Sequence, residues 1–264
     1  MKIKKIKNAL LIAILFTSMI GCSSDNANDT EADIIDTTED IITELPAAFA
    51  DFDADEIEVY ISDNGTTITI ETTGLPNHTT PYWSTSHPLY VAPTVTNAAE
   101  MTPTRIDTSG RDNSSTLTVS SNPSKASSTT NTSLNAIGIA VSGAYIYNDY
   151  EGPVPLSSAT GSLDYSGAHI GPTQYHYHLE PLAFTNDDDK LVGIMSDGFF
   201  IYGRKCNSTG TYPTGLDASG GHTSTTQHTE TDEYHYHIIN ELYSNTGRYI
   251  VFAGPYQGTP NAFN

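Results

Sequence analysis

From Ile57 onward the chain alternates apolar and polar positions. Ile57-Glu58-Val59-Tyr60-Ile61-Ser62 and Thr66-Thr67-Ile68-Thr69-Ile70-Glu71 flank Asp63-Asn64-Gly65. Period-two alternation around Asn-Gly predicts a β-hairpin, with both turn residues at positive φ. Residues 76–135 are rich in Pro, Thr, Ser and Asn and carry few apolar clusters, which predicts long loops with short edge strands. Beyond them the pattern repeats. Gly138-Ile139-Ala140-Val141-Ser142-Gly143-Ala144-Tyr145-Ile146-Tyr147 aligns without a gap to Gly193-Ile194-Met195-Ser196-Asp197-Gly198-Phe199-Phe200-Ile201-Tyr202. Each copy predicts a hairpin, turning on Ser142-Gly143 or Asp197-Gly198.

Two further blocks follow in the same order in both copies. Leu163-Asp164 precedes Gly167-Ala168-His169, as Leu216-Asp217 precedes Gly220-Gly221-His222. Tyr175-His176-Tyr177-His178 closes the first copy, and Tyr234-His235-Tyr236-His237 the second. The predicted fold is therefore all-β. It contains a duplicated hairpin-containing unit, about 136–181 and 191–240, in a pseudo-twofold arrangement with long loops, inside a domain spanning 57–264.

The doubled tetrapeptide carries the candidate chemistry. Alternate side chains of a strand share a face about 7 Å apart, so His176 and His178 point one way and Tyr175 and Tyr177 the other. Two such imidazoles can converge on one ion, and His169 lies near enough, across Gly171-Pro172, to fold back as a third ligand. His235, His237 and His222 repeat this set. Neutral imidazoles suit a transition ion such as copper or zinc far better than magnesium or calcium. Asp164 and Asp217 each precede their histidine by five residues. Either could orient an imidazole, ligate the ion, or serve as a general base in catalysis. His87 and His228 fall outside the repeated blocks and read as surface residues. Cys206 has no activating partner in sequence and reads as a partly buried thiol.

The amino-terminal 56 residues differ in kind. Lys2, Lys4, Lys5 and Lys7 precede the short apolar run Ala9–Phe16, and Gly21-Cys22-Ser23-Ser24 follows. That run is too short to span a bilayer. Residues 1–21 resemble a bacterial lipoprotein signal peptide, which implies lipid (palmitate) on Cys22 and a membrane anchor in the cell envelope, on the periplasmic or surface-facing side of the outer membrane. Residues 22–56 hold twelve acidic residues and no Lys or Arg, which predicts a disordered tether. The whole chain has 31 acidic against 11 basic residues and a net charge of −20, which excludes nucleic acid as a partner. Two cysteines exclude a disulfide scaffold. No nucleophile elbow, phosphate loop or dinucleotide fingerprint is present.

Taken together, the blocks resemble the YHYH domain family. Its pattern joins a Gly-Ile/Leu-Pro-Asp/Asn-His block, a Gly-x-Pro-Ile-Tyr hairpin, a Leu-Asp-x-Cys-x-Gly-His block and the tetrapeptide, a resemblance running over about 57–250. The resemblance implies that Gly74-Leu75-Pro76-Asn77-His78 belongs to it, which adds His78 to the candidate ligands. Where the family has Cys, this chain has Ser166 and Ser219, so the resemblance leaves His and Asp to do the chemistry. It implies no activity. Three function classes remain open at this stage: a lipid-anchored copper- or zinc-handling protein, a metal-dependent enzyme acting on extracellular polysaccharide, and a glycan- or surface-binding module.

Overall fold

A computed structural model describes residues 42–94, 105–107, 110, 112–171 and 173–264. The expected signal peptide and Cys22 lie outside the described residues, as does Pro172. Among the described residues the only helices are 3-10 turns, at Ala47–Asp51, Leu156–Ser158 and Thr160–Ser162. None of them is long and apolar enough to cross a membrane.

Three strands, β1 (Ile57–Ile61), β2 (Thr67–Thr72) and β3 (Ser115–Ser120), form an antiparallel sheet in sequential order. The expected hairpin joins β1 and β2, but its turn is longer than Asn-Gly alone. The Ser62 N–H donates to the Thr67 carbonyl, which leaves four residues in the loop. Gly65 has φ +70° and Asn64 is not in the left-handed region, because a four-residue loop requires that backbone at one position only. β3 is the edge strand that the Thr- and Ser-rich segment supplies.

The second sheet has eight strands. The first repeat gives β4 (Gly138–Ala140), β5 (Tyr145–Ile146), β8 (Ala168–Ile170) and β9 (Tyr175–Tyr177). The second gives β10 (Leu191–Met195), β11 (Phe200–Tyr202), β12 (Gly221–Ser224) and β13 (Glu233–His237). A small separate hairpin, β6 (Tyr150–Glu151) with β7 (Val154–Pro155), rises from the first repeat. The order in space is β12-β13-β11-β10-β4-β5-β9-β8. Read from the middle outward, each half repeats the other. β5 pairs parallel with β9, and β11 parallel with β13, while the remaining neighbours run antiparallel. The pseudo-twofold axis therefore falls between β4 and β10, where Ile139 faces Ile194.

This seam needs glycine. A Cβ on Gly193 would stand 2.2 Å from the Ile139 carbonyl oxygen and 2.9 Å from the Ala140 Cα, so only a bare backbone allows the halves to approach so closely. Both sheet faces are buried. On one, Ile139, Leu191, Ile194 and Phe200 pack against Ile68, Ile70, Leu117 and Val119 of the three-stranded sheet. On the other, Tyr175, Tyr177, Tyr236, Val192, Met195 and Ile201 join a larger cluster with Tyr82, Trp83 and Phe252. The end of the expected tether belongs to the fold. Phe49 and Phe52 are buried in the first of these clusters, since Ala47-Ala48-Phe49 and Phe52 break the acidic pattern with apolar surface. The folded unit thus begins before Pro46, not at Ile57.

Gly193→Ala should overpack the seam and lower the unfolding free energy by about 1–3 kcal/mol, read as a lower denaturant midpoint at unchanged m-value.

Candidate metal centres

The strand pairing itself assembles the histidines. In β8–β9 His169 lies directly opposite His176, and in β12–β13 His222 lies opposite His235. His178 and His237 follow two residues later on the same face. The tyrosines of each tetrapeptide take the opposite face and anchor the strand in the core. The two groups of three therefore sit at opposite ends of the eight-stranded sheet, one per repeat.

The loop entering each first strand is fixed by its aspartate. Asp164 Oδ1 accepts from the Ser166 and Ala168 N–H groups, and Asp217 Oδ1 from those of Ser219 and Gly221. Tyr175 and Tyr234 donate their hydroxyls to the other oxygen of Asp164 and Asp217, at 2.7 and 3.0 Å. Gly167 (φ +75°) and Gly220 (φ +77°) complete the two turns. Neither aspartate reaches a histidine ring. Asp164 also accepts from Thr80, and burial raises its pKa above the ordinary carboxyl value. Asp164 thus spends both oxygens on the turn, Thr80 and Tyr175, and Asp217 Oδ2, on a side chain 31% exposed, also lies 3.7 Å from Lys125 Nζ, so neither carboxylate stands among the donors grouped with the histidines. Their role is to build the turn.

The ring nitrogens show what the histidines are arranged to do. The Nδ1–H of His176 donates to the Gln174 carbonyl at 2.9 Å, and that of His178 to the Asn148 carbonyl at 2.5 Å. In the second repeat the corresponding bonds run from His235 to the Glu233 carbonyl (3.0 Å) and from His237 to the Gly203 carbonyl (2.8 Å). A carbonyl only accepts, so each Nδ1 carries the proton and each neutral ring turns an Nε2 lone pair inward. His169 is fixed likewise: the Ser162 hydroxyl donates to the Ala159 carbonyl and accepts at 2.7 Å from His169 Nδ1–H. The Nε2 atoms then meet. His176 stands 3.1 Å from His169 and 2.9 Å from His178, and His237 stands 3.1 Å from both His222 and His235.

Each group has a fourth donor. Glu151 Oε2 lies 3.1 Å from His169 Nε2 and 3.4 Å from His178 Nε2. Cys206 Sγ lies 3.5 Å from His222 Nε2. In both groups all four donor atoms fall within 4.8 Å of one another, so each group could hold a metal ion. Ligand bonds of about 2.0–2.1 Å in a tetrahedron put nitrogens about 3.3 Å apart, close to the separations here.

Protons are poor substitutes for a cation in these groups. Burial, and then the neighbouring rings, hold His176 well below the ordinary imidazole pKa. Burial lowers His235 to about 4 and His237 to about 3. Glu151 Oε2, 3.1 and 3.4 Å from the Nε2 atoms of His169 and His178, brings a carboxylate to the same point. Lone pairs and an anion thus face a common point with little tendency to protonate, and a cation resolves the repulsion.

His78 is not among the donors. Its Nε2 lies 2.5 Å from the Tyr177 hydroxyl, on the tyrosine face of β9, and its Nδ1 meets the Thr79 carbonyl. It supports Tyr177, which also bonds Ser142. Of the two histidines read as surface residues, His87 stacks on Trp83 and His228 bridges the Tyr202 hydroxyl to Asp51. Glu151 and Cys206 escaped sequence reading, although their positions carried a signal. Each stands four residues beyond the tyrosine that ends its gapless block, Tyr147 or Tyr202. Those tyrosines are equivalent too: Tyr147 stacks on His176 at 3.7 Å, and Tyr202 meets His235 edge-on at 5.2 Å.

A sheet protein carrying paired three-histidine centres is the class that these features define. Residues 116–215 match the model of the family described as YHYH protein, the family that the sequence resembles. The match takes in all but the first residue of β3, the whole first repeat and Cys206, and stops before the second tetrapeptide. It is narrower than the 57–250 of the resemblance. No curated protein and no solved structure matches the chain.

The depressed imidazoles fix a pH dependence for the metal-free protein. Above the unfolded value of 6.5 the rings are neutral in both states and cost nothing. Below it the unfolded chain binds protons that the folded chain refuses, so stability falls with pH until the folded values near 4 and 3 are reached. Thermal melts of chelator-treated protein should show the midpoint dropping from pH 6.5 to 4, and the drop should shrink in His235→Ala/His237→Ala.

Proposed function

We propose that the chain is an extracytoplasmic, lipid-anchored protein that binds copper or zinc at two centres, one formed by Glu151, His169, His176 and His178 and the other by Cys206, His222, His235 and His237. The observation that carries the reading is the convergence of three Nε2 lone pairs, one of them 2.9–3.1 Å from each of the other two, each set by a strand and most by a hydrogen bond to the other ring nitrogen. Imidazole with a carboxylate, or with a thiolate, is a donor set for zinc and copper and a poor one for magnesium or calcium. The envelope location and the lipid on Cys22 rest on the amino-terminal sequence alone. Handling of the ion is favoured over hydrolysis because the expected general bases, Asp164 and Asp217, stand in the turns and belong to neither group of donors. A cavity of about 960 Å³ beside Asp164, lined by Thr160, Tyr165, Asn245 and Arg248 among others, contains none of the eight donors.

Elemental analysis of the full chain, purified without a histidine tag, should find two transition ions per chain. His176→Ala/His178→Ala and His235→Ala/His237→Ala should each leave one, and His78→Ala should leave two. A folded chain that retains and takes up neither copper nor zinc at micromolar concentration would overturn the reading.

A further inference from the structure

Each centre has three imidazoles, and the two differ in the fourth donor, a carboxylate at one and a thiol at the other. Glu151 and Cys206 occupy matching positions, and so do Gly171 and Ser224, each two residues beyond the first histidine of its centre. The fold around each is fitted to the donor it carries. A Cβ on Gly171 would stand 3.0 Å from Glu151 Oε1, 3.6 Å from His169 Nε2 and 3.7 Å from His176 Cε1, so the carboxylate takes room that a side chain there would need. At the second centre the smaller thiol leaves space for one, and Ser224 Oγ lies 3.5 Å from Cys206 Sγ. Cys206 is fully buried in a tight loop, its N–H donating to the Thr211 carbonyl and its own carbonyl accepting from the Gly210 N–H.

The spacings agree with two kinds of bond. Metal–sulfur bonds of about 2.3 Å and metal–imidazole bonds of about 2.0–2.1 Å put sulfur about 3.5–3.6 Å from nitrogen in a tetrahedron. Cys206 Sγ stands 3.5 Å from His222 Nε2. Carboxylate bonds of about 2.0–2.2 Å bring oxygen to about 3.3–3.5 Å from nitrogen. Glu151 Oε2 stands 3.1 and 3.4 Å from its two imidazoles. Thiolate sulfur is polarisable and bonds most strongly to thiophilic ions, copper(I) above all, whereas carboxylate oxygen with imidazole suits a divalent ion such as zinc(II).

Resting on the metal-binding reading, we infer that the two centres sort ions by their fourth donor: the Cys206 centre takes copper(I) and the Glu151 centre takes zinc(II), so that one chain carries a mixed pair. The Cys206 thiol gives its proton to solvent as the sulfur–copper bond forms, and no oxidation state changes.

The full chain, purified without a histidine tag and stripped with chelator, tests this when equilibrated without oxygen against copper(I) and an excess of zinc(II). Elemental analysis should find one copper and one zinc per chain. X-ray absorption should show a sulfur neighbour around copper and only nitrogen and oxygen around zinc. Cys206→Ser should weaken copper(I) about tenfold or more and leave zinc in place, and Glu151→Gln should weaken zinc by a similar factor and leave the copper–sulfur contact. Sulfur around zinc, copper without sulfur, or two ions of one element drawn from the mixture would overturn the sorting and leave metal binding standing. These spectra come from the unsubstituted chain, so the outcome does not hang on either variant folding. Failure to bind copper or zinc at all would overturn both.

Discussion

Everything at the two centres depends on a hydrogen bond made on the far side of each ring. By donating Nδ1–H to a backbone carbonyl, His176, His178, His235 and His237 fix one tautomer and one ring plane, and the opposite nitrogen is left as a pure acceptor. Acceptors brought to about 3 Å without a proton between them repel. The fold holds them there because the tyrosines on the reverse face of the same strands, buried but for the half-buried Tyr234, are hydrogen-bonded to Asp164, Asp217, Asp197 or Ser142. Core burial on one side of the strand thus supports an electrostatically unfavourable cluster on the other.

Duplication explains why this device occurs twice without the two copies touching. The repeats meet back to back at β4 and β10, where Gly193 permits close contact, and their histidines lie at the outer strands. Each centre is built within its own repeat: carbonyls at matching positions, 148 and 203, accept from the last histidine of each. The hydrogen-bond pattern of one half can be transcribed onto the other almost bond for bond.

Much of this was legible in the sequence, because period-two alternation and self-similarity are local signals. The β class, the repeat, the hairpins at Gly143 and Gly198, and the shared face of His176 with His178 all follow from short-range pattern. What escaped depended on long-range packing. Asp164 and Asp217 looked like partners for histidine because they stood near it in sequence, yet turn N–H groups and tyrosine hydroxyls claim them first. His78 carried the right side chain in a plausible motif, but the strand presents its tyrosine face there. Glu151 and Cys206 share no residue type, so a search for matching letters passed over two positions that match only in spacing. Phe49 and Phe52 were hidden by the acidic residues around them.

The parallel pairing of β5 with β9, and of β11 with β13, carries a last consequence. Parallel neighbours cannot be joined by a tight turn, so the chain must make an excursion before it returns. In each repeat that detour brings in the fourth donor, outside the strands that hold the tetrapeptide. The tetrapeptide histidines and the fourth partner are thereby written in separable stretches of chain, with His169 or His222 on the same detour as that partner. Altering the detour can retune softness, charge and solvent access at one centre while the β-scaffold, the aromatic reverse face and the sister centre stay as they are.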